Sequence, residues 1–376
     1  MQLGGLICHL LLVPIFVLAC VPPITATVLL ALTERYDVEL AQAALCILCC
    51  YKSSPGDALG VASTAAAAAI TAALAIGGAD SHAVVGSAIW MIMTGINWGH
   101  SFAYSPAWTR FIFRMNMASY YTRAELRSQG GTKALDSMPT SRAIYLFHPH
   151  GIVTCGFSSN GVWSREFNER TTPKPLPPNW EAREWPGTIF LIAQSLRVPS
   201  HLFKLLCDVS GRLESASRDN MKRLLAAGRN VAIIPGGFEE ATLFEHGVHR
   251  VAMSKRKGLI KYALQYGYSL VPIYSFGENK SFYTLAPQYS MRFRLWLNSF
   301  QFPAVVFWGE PLLPILPRRD AHCLTYVGPP LQLPKIEEPS PAQVDEWHAA
   351  YMAALQKLFD ASKAEAEEPK AVLEVW

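Results

Sequence analysis

The stretch YLFHPHGIVTCGF, residues 145–157, carries an apolar run that ends in two histidines, His148 and His150, around a proline. Proline has no N–H to donate and fixes φ, so Pro149 should end a buried strand and preset the direction of His150. Gly151 then permits a backbone conformation that other residues resist. We expect an imidazole on a rigid bend, able to exchange a proton near neutral pH. The same sequence is also explained by two histidines that only form hydrogen bonds with backbone groups in a turn.

Short apolar runs alternate with helical patterns from about residue 141 onward. The predicted buried strands are residues 143–147, 188–193, 230–234, 269–276 and 303–308. The predicted helices between them are residues 164–170, 200–209, 217–228 and 257–267. This alternation predicts an α/β fold, with a central and mostly parallel sheet flanked by helices.

A second turn follows the predicted strand at residues 230–234 and reads PGGFEE, residues 235–240. Ligand chemistry in such sheets tends to lie where strands end. Gly236 and Gly237 allow successive N–H groups to point outward, which suits an oxyanion or a phosphate. Glu240 follows three residues later and could orient a histidine, as carboxylates do for catalytic imidazoles. Taken alone, this stretch is equally well explained by a tight turn at the start of a solvated helix.

The first hundred residues differ in composition from the rest of the chain. Residues 1–33, 58–79 and 81–109 contain no Asp, Glu, Lys or Arg, and a membrane-spanning helix needs about 20 mostly apolar residues. We therefore predict two or three membrane-embedded segments before about residue 100. A cleaved signal peptide is the alternative, and the absence of a basic side chain in the opening MQLGG disfavours it. Since nearly all basic residues follow residue 101, the positive-inside tendency places the remainder in the cytosol.

Composition also argues against several function classes. No cluster of Lys and Arg with interleaved aromatics points to nucleic-acid binding. Five of the eight cysteines lie in the first fifty residues among apolar neighbours, where small buried hydrophobes are expected rather than a disulfide framework. The stretch GFSSNG, residues 156–161, lacks the G-x-S-x-G spacing of a serine lipase.

Two alternatives from other function classes stay open at this point. A metal-dependent hydrolase could take its metal ligands from the two turns and from two further histidines, three residues apart, that could share one helix face. No HExxH motif or paired Cys–His spacing supports this alternative. Its candidate ligands are His148, His150, Glu240, His246 and His249. A non-catalytic membrane scaffold is the other alternative.

Together these motifs resemble the type-2 diacylglycerol acyltransferase family, which includes monoacylglycerol and wax-ester acyltransferases. The family's HPHG is present at residues 148–151, and its glycine pair followed by an acid is present at residues 236–240. Four further motifs follow in the family's order. They are a basic-glycine helix, an FGEN sequence, a V-G-x-P segment and a closing V-D-x-x-H-x-x-Y pattern. These occupy residues 256–267, 276–279, 327–330 and 344–359. The resemblance covers about residues 98–363.

The resemblance implies a role for each residue in the two turns. His150 would be the general base, and His148 would position it or take part in the proton relay. Glu240 would set the histidine, and Gly151, Gly236 and Gly237 would form the turns that stabilise the oxyanion. Acyl-CoA carries phosphates, so a basic surface is expected at Arg250, Lys255, Arg256 and Lys257. The remaining motif residues are Gly258, Gly277, Glu278 and Asn279.

The implied reaction transfers a fatty acyl group from acyl-CoA to diacylglycerol and yields triacylglycerol. Monoacylglycerol and long-chain alcohols are the alternative acceptors. The thioester is already activated, so no metal, nucleotide hydrolysis or redox cofactor is expected. The expected partners are acyl-CoA, the glycerolipid acceptor and membrane lipid, with no nucleic acid, and homo-oligomerisation is left open.

The resemblance also implies a location, and the composition of the chain predicts how it is divided. The expected location is the endoplasmic reticulum membrane and the lipid droplet, with the catalytic domain facing the cytosol. Residues 1–100 would be membrane-embedded, residues 101–140 interfacial or connecting, residues 141–365 the acyltransferase domain, and residues 366–376 a C-terminal tail.

Overall fold

The structure is a computed structural model and divides the chain into two compact units. It describes residues 2–17, 21–51, 58–99, 103–173, 184–193, 201–298 and 305–376. The first unit consists of Met1–Val13, Ser105–Ala193 and Ser210–Trp376, and the second of Pro14–Tyr104 and Gln194–Val209. Both turns singled out above belong to the first unit.

The helices are numbered here in chain order. They are α1 Gln2–Val17, α2 Val21–Leu32, α3 Tyr36–Tyr51, α4 Ala58–Ile76, α5 Ser81–Gly99, α6 Pro106–Met115, α7 Arg165–Thr171, α8 His201–Ser210, α9 Arg218–Ala226, α10 Gly237–Leu243, α11 Gly258–Tyr266, α12 Met291–Asn298 and α13 Pro341–Ser362. The predicted helices at residues 164–170, 217–228 and 257–267 correspond to α7, α9 and α11, and α8 corresponds to the described part of residues 200–209.

The second unit is built largely from α2, α3, α4 and α5. Its apolar core includes Leu30, Leu74 and Trp90, each less than a tenth exposed. The buried Gln42 side chain donates from Nε2 to the Ser87 hydroxyl at 2.7 Å, which satisfies its NH₂ group. None of the helices in the described part of the chain is both long and apolar enough to cross a membrane. The membrane-embedded segments expected before residue 100 therefore stay a prediction.

A seven-stranded sheet forms the centre of the first unit, in the order β1-β10-β7-β2-β5-β3-β4. Its strands are β1 Ala124–Ser128, β2 Ala143–His148, β3 Ile189–Ile192, β4 Leu213–Ser215, β5 Val231–Ile233, β7 Ser269–Phe276 and β10 Cys323–Val327. Among the described strands of this sheet only β10 and β7 pair antiparallel, so the predicted α/β fold with a mostly parallel central sheet is confirmed.

The other strands that the structure describes form two small sheets. In the first, β6 (His249–Val251) pairs in parallel with β11 (Leu373–Val375). In the second, β8 (Tyr283–Leu285) pairs antiparallel with β9 (Val306–Trp308).

Strand β2 lies at the middle of the central sheet, between β5 and β7. All six of its residues are buried, because a central parallel strand is covered on both faces and needs no polar alternation. Since β2 and β5 run parallel, their carboxyl ends meet at the same edge of the sheet. The topology thereby brings the HPHG turn and the PGGFEE turn to one place.

The strand predicted at residues 303–308 differs from the prediction. The structure describes it only from residue 305, and β9 lies in the separate two-stranded sheet. Its burial was also predicted wrongly, because Val306 is 62% exposed and Trp308 44% exposed. An apolar run predicts a strand but does not say which of its faces is covered.

Arg212 is a fully buried cation in the first unit, and nothing in the sequence pattern pointed to it. Its guanidinium donates to the Thr109 hydroxyl at 2.7 Å and to the Val162 carbonyl at 3.1 Å. It also lies 4.0 Å from the ring centre of Trp185 and 4.6 Å from that of Phe113. A planar guanidinium can bond within its plane and stack on aromatic faces at once, which an ammonium cannot do.

We therefore predict that Arg212→Lys lowers the free energy of unfolding by about 2–3 kcal/mol, because buried acceptors lose their donors. Thermal unfolding followed by tryptophan fluorescence measures this. Arg165→Lys is the matched control, since the Arg165 side chain is 71% exposed and should shift stability by less than about 0.5 kcal/mol. Equal melting temperatures for the two variants would contradict the prediction.

Candidate active site

The two turns converge on the carboxylate of Glu240, which is 3% exposed. Its Oε2 accepts a hydrogen bond from the backbone N–H of His150 at 2.6 Å. Its Oε1 accepts one from the backbone N–H of Ala252 at 2.8 Å. Glu240 therefore sets the position of His150 through the backbone, and it bonds the N–H rather than the imidazole ring.

Gly236 makes room for this carboxylate. A Cβ placed on Gly236 would overlap the side chain of Glu240, so the chain needs a glycine there. Gly237 has a φ of +52°, in the left-handed region that favours glycine. The two glycines thus shape the start of α10 and admit the buried acid that follows them.

His148 is fully buried at the end of β2, and its peptide bond to Pro149 is cis. Its Nε2 lies 2.9 Å from the hydroxyl of Tyr351, on α13. Its Nδ1 lies 3.8 Å from Glu240 Oε1, beyond hydrogen-bond distance, and has no hydrogen-bond partner among the residues that the structure describes. A ring enclosed in this way contacts its neighbours and is closed to solvent.

His150 is only partly buried, and its ring is oriented by its own turn. Its Nδ1 lies 3.0 Å from the Gly151 carbonyl. A carbonyl oxygen only accepts hydrogen bonds, so Nδ1 must carry the hydrogen and Nε2 keeps its lone pair. Burial holds the pKa of the His150 imidazole below its usual value, against the opposing effects of the Gly151 carbonyl and the Glu240 charge. Near neutral pH this imidazole is uncharged and its Nε2 can accept a proton.

Glu278 holds the chain that follows the HPHG turn. Its carboxylate, 1% exposed, accepts hydrogen bonds from the backbone N–H of Cys155 at 2.9 Å and of Gly156 at 2.7 Å. A Cβ on Gly151 would overlap this carboxylate, and Gly151 also has a φ of +63°. Burial raises the pKa of Glu278 to about 7, although both hydrogen bonds favour the charged form.

The other motif residues are Gly277, Asn279 and Gly258, and the contacts of the first two are with the surrounding protein. Gly277 has a φ of +86°, and a Cβ there would overlap the His322 carbonyl, so no other residue fits. The Asn279 side chain is buried and lies 3.1 Å from His249 Nε2. Gly258 is exposed at the start of α11, and a Cβ there would meet open space. We find no steric reason for that glycine.

The C-terminal residues reach the site through β6. Strand β11 pairs with β6, and Ala252, which directly follows β6, donates its N–H to Glu240. Glu368 adds a second tie, since its carboxylate lies 2.9 Å from His249 Nε2 and 3.2 Å from Lys280 Nζ. The predicted C-terminal tail is thus packed against β6, the strand that precedes Ala252 and its hydrogen bond to Glu240.

The four basic residues expected to bind acyl-CoA are placed differently from one another. Arg256 lies at the second turn, where it donates to Glu239 at 2.8 Å and to the Gly236 carbonyl at 3.5 Å. Arg250 pairs with Glu245 and Glu374, and Lys257 pairs with Asp345. Lys255 is exposed. Of the four, Arg256 is the one with a direct contact to the turns.

The metal-ligand alternative gains no geometric support. His249 lies in strand β6 and His246 in the preceding turn, so the prediction that they share a helix face is wrong. His246 Nδ1 lies 2.8 Å from the Phe282 carbonyl, and His249 Nδ1 lies 2.9 Å from the Tyr274 hydroxyl. Within the described ranges, no group of three or more His, Cys, Asp or Glu is arranged to hold a metal ion.

Three residues of this site, Tyr351, His348 and Ala252, were given no role from the sequence. Tyr351 and His348 are three apart on α13, and His348 Nε2 lies 2.9 Å from the Met253 carbonyl. The H-x-x-Y spacing of the closing motif was the available signal, because residues three apart share a helix face. Ala252 contributes only its backbone, which leaves no mark on a side-chain pattern.

Comparison with known proteins gives matches to one family. A family model described as "Diacylglycerol acyltransferase" matches residues 80–375. The chain is 32% identical over 258 residues to "Diacylglycerol O-acyltransferase 2" of Homo sapiens, which is 65% of this chain and 62% of that protein. It is also 32% identical over 244 residues to "Acyl-CoA wax alcohol acyltransferase 1" of Mus musculus, 62% of this chain and 70% of that protein. No solved structure matches the chain.

These matches cover only part of this chain and part of each relative. The chain spans 62% of the length of the human relative named first, as it does for "Diacylglycerol O-acyltransferase 2" of Mus musculus, which is 31% identical over 258 residues. The residues of both turns fall inside the part that the family model matches.

We predict that Glu240→Gln destabilises the protein by about 1–3 kcal/mol. The amide keeps the shape of the carboxylate, but its NH₂ group must face one of two N–H donors, from His150 and Ala252. Thermal unfolding of the purified protein measures the loss. Glu239→Gln is the matched control, because the Glu239 side chain is 40% exposed and pairs only at the surface with Arg256. If Glu240→Gln unfolds at the same temperature as the control, the carboxylate does not join the turns.

Glu278 should leave a pH signature on stability. Its folded pKa of about 7 lies above the usual 4.5, so the folded state binds more protons between these values than the unfolded state does. Its contribution to stability is therefore fully present below about pH 4.5 and is lost as pH rises through about 7. The melting temperature of Glu278→Gln should depend less on pH across this window than that of the unaltered protein. Parallel curves for the two proteins would refute the assignment.

Proposed function

The chain belongs to the diacylglycerol acyltransferase family, and from this premise we propose that it transfers a fatty acyl group from acyl-CoA to the free hydroxyl of diacylglycerol. The observation that carries the proposal is the state of His150. Its Nδ1 is committed to the Gly151 carbonyl, its pKa is held low, and its backbone is bonded to a buried acid. A neutral imidazole with an available Nε2 is what a general base for a hydroxyl requires.

The proposed first step is removal of a proton from the acceptor hydroxyl by His150 Nε2. The hydroxyl oxygen attacks the thioester carbonyl carbon, and the carbonyl π electrons move to its oxygen. The tetrahedral intermediate then collapses, the carbon–sulfur bond breaks, and the His150 imidazolium returns the proton to the departing CoA sulfur. The products are the new ester and CoA, and His150 ends in its starting state.

The backbone N–H groups of Gly236 and Gly237 are the proposed donors to the oxyanion. Their turn lies next to His150 because Glu240 bonds the HPHG turn from its place on α10. Removal of one such donor costs on the order of 3 kcal/mol of barrier in related chemistry. Arg256, which contacts this turn, is the best-placed cation for the phosphates of CoA.

His148 and Tyr351 have a supporting role in this proposal. The fully buried His148 ring bonds the Tyr351 hydroxyl and packs beside Glu240, so it fixes the strand end from which the HPHG turn departs. Its burial is the reason to assign the base to His150 and not to His148.

Esterification of a long-chain alcohol is the second candidate function. The match to the wax alcohol acyltransferase of Mus musculus is as high in identity as that to the human relative, 32% in both. Base, oxyanion donors and thioester chemistry would be the same for either acceptor.

The proposal includes a location at the endoplasmic reticulum membrane and the lipid droplet, with the acyltransferase domain on the cytosolic side. Its support is the nature of the acceptor, which resides in lipid, and the uneven charge of the chain. Residues 1–100 hold two basic side chains, Arg35 and Lys52, and the other Lys and Arg follow.

We predict that His150→Gln lowers the rate of acyl transfer about 10²–10⁴-fold, because glutamine cannot accept the proton. The assay offers labelled acyl-CoA with diacylglycerol and a long-chain alcohol in competition, and separates the labelled lipids. The main product should be triacylglycerol. In the unaltered protein the rate should fall with decreasing pH at a midpoint below 6.5, because the pKa of His150 is lowered and the base must be unprotonated.

His82→Gln is the control, since that exposed histidine lies in the second unit and should leave the rate unchanged. Full activity in His150→Gln, or a midpoint of the acidic rate loss above pH 6.5, would contradict the assignment of His150 as the base. A labelled wax ester as the main product would replace the first candidate function with the second.

A further inference from the structure

One peptide unit connects the predicted C-terminal tail, residues 366–376, to the buried acid of the candidate site. The N–H of this unit, that of Ala252, donates to Glu240 Oε1 at 2.8 Å. Its carbonyl oxygen, that of Val251, accepts a hydrogen bond from the N–H of Trp376 at 2.9 Å. A peptide unit is planar and rigid, so a bond at its oxygen also fixes the direction of its N–H. The backbone of Trp376 therefore orients a donor to Glu240.

The tail also holds the chain on the other side of Ala252. The main-chain oxygen of Trp376 accepts a hydrogen bond from the N–H of Ser254 at 2.8 Å. In the parallel pair of β11 and β6, Val375 is in register with Val251. Within the part of the chain that the structure describes, β11 is the only strand that pairs with β6. The strand that leads to Ala252 thus takes its pairing from the tail.

A buried histidine ties the tail to the central sheet. His249 lies in β6 and is 3% exposed, and its Nε2 lies 2.9 Å from Glu368 Oε2. An ionised carboxylate only accepts hydrogen bonds, so Nε2 donates to it. In the neutral ring Nδ1 then accepts from the Tyr274 hydroxyl, 2.9 Å away. Tyr274 is fully buried in β7, in register with His148 of β2, so this chain of contacts ends beside the HPHG turn.

We propose that Trp376 is a positioning residue for His150, and that Glu368 anchors the tail in the place that this role requires. Three hydrogen bonds join Trp376 to His150 by way of Glu240. Neighbouring hydrogen bonds in such a chain polarise one another, so loss of the first weakens the others. For its effect on acyl transfer this inference rests on the proposed function, but for the placement of the HPHG turn it does not.

A separate contact holds the same stretch of chain from α13. His348 Nε2 donates to the Met253 carbonyl at 2.9 Å, and this bond does not involve the tail. Loss of the bond from Trp376 therefore leaves the stretch attached to the protein. We expect a folded protein in which Ala252 and Glu240 are held less tightly.

Substitutions of Trp376 by proline and by alanine separate the effect of its N–H from that of its side chain. Trp376→Pro has no N–H for the Val251 carbonyl, whereas Trp376→Ala keeps it. At saturating acyl-CoA, Trp376→Pro should lower kcat about tenfold or more, because a small displacement of a positioned group costs up to about 10²-fold. Trp376→Ala should stay within about threefold of the unaltered protein, since this side chain is 45% exposed.

The KM for acyl-CoA should respond much less than kcat. Arg256, the cation proposed for the CoA phosphates, bonds Glu239 and the Gly236 carbonyl at the second turn. We therefore expect a change in KM of less than about threefold in both variants, as for loss of an interaction that matters in the transition state. Equal kcat values for the folded proline and alanine variants would overturn the proposal.

Hydrogen exchange measured by mass spectrometry tests the path without an assay of acyl transfer. In Trp376→Pro, backbone fragments containing Ala252 and fragments containing His150 should both exchange about tenfold faster or more, because local opening becomes easier. In Trp376→Ala neither should change. Faster exchange confined to the fragments with Ala252 would show a purely local structural role and contradict the proposal.

Variants of Glu368 test the anchor and decide the matter if Trp376→Pro does not fold. Glu368→Ala removes the acceptor for His249 Nε2, whereas Glu368→Gln keeps an oxygen there. Glu368→Ala should show the same loss of kcat and the same faster exchange at His150, and Glu368→Gln should stay within about threefold in both. A folded Glu368→Ala with unaltered kcat and exchange would overturn the proposal.

Thermal unfolding establishes that each variant is folded at the assay temperature. Arg212→Lys is the stability-matched control, since its destabilisation arises away from the two turns and should leave kcat unchanged. A loss of kcat in this control as large as that in Trp376→Pro would show that lowered stability alone explains the loss. If the unaltered protein transfers no acyl group, the proposed function fails, while exchange at His150 still decides the positioning.

Discussion

One buried carboxylate, that of Glu240, holds the candidate active site together. An acid with so little exposure is tolerated only if its oxygens are fully bonded, because an unpaired charge inside a protein costs several kcal/mol. Glu240 meets this requirement with backbone donors from His150 and Ala252, which belong to different parts of the chain. The same bonds that satisfy the acid therefore fix the distance between the two turns, and Gly236 leaves the space that the acid fills.

Burial places the two histidines of the HPHG turn in different environments. His148 ends the central strand and is enclosed with Tyr351, whereas His150 lies on the bend with one nitrogen committed to the Gly151 carbonyl. A second buried acid, Glu278, holds the chain after the bend in the same way, through two backbone N–H groups. The turn and the residues that follow it are thus held by two buried carboxylates, Glu240 through the N–H of His150 and Glu278 through the N–H groups of Cys155 and Gly156, and neither of these hydrogen bonds uses the His150 ring.

The sequence was sufficient for four of the seven strands of the central sheet, β2, β3, β5 and β7, and for the meeting of the two turns, but β4 and β10 were not predicted. Continuous apolar runs such as that of β2 predict buried parallel strands, and parallel strands bring their carboxyl ends to one edge. It was not sufficient for β1, whose residues AELRS are half-buried at a sheet edge and show no apolar run. The hydrogen bond from the Ala252 N–H to Glu240 could not be predicted either, since any residue other than proline supplies a backbone N–H. The exposed face of β9 escaped prediction because an apolar pattern does not report what covers it.

The most direct test of this account is a structure of the protein bound to diacylglycerol and a non-reactive thioether analogue of acyl-CoA. The account predicts that the acceptor hydroxyl lies about 3 Å from His150 Nε2, with the analogue's reacting carbon beside the N–H groups of Gly236 and Gly237. A hydroxyl held by another side chain, with His150 turned away from both ligands, would contradict it.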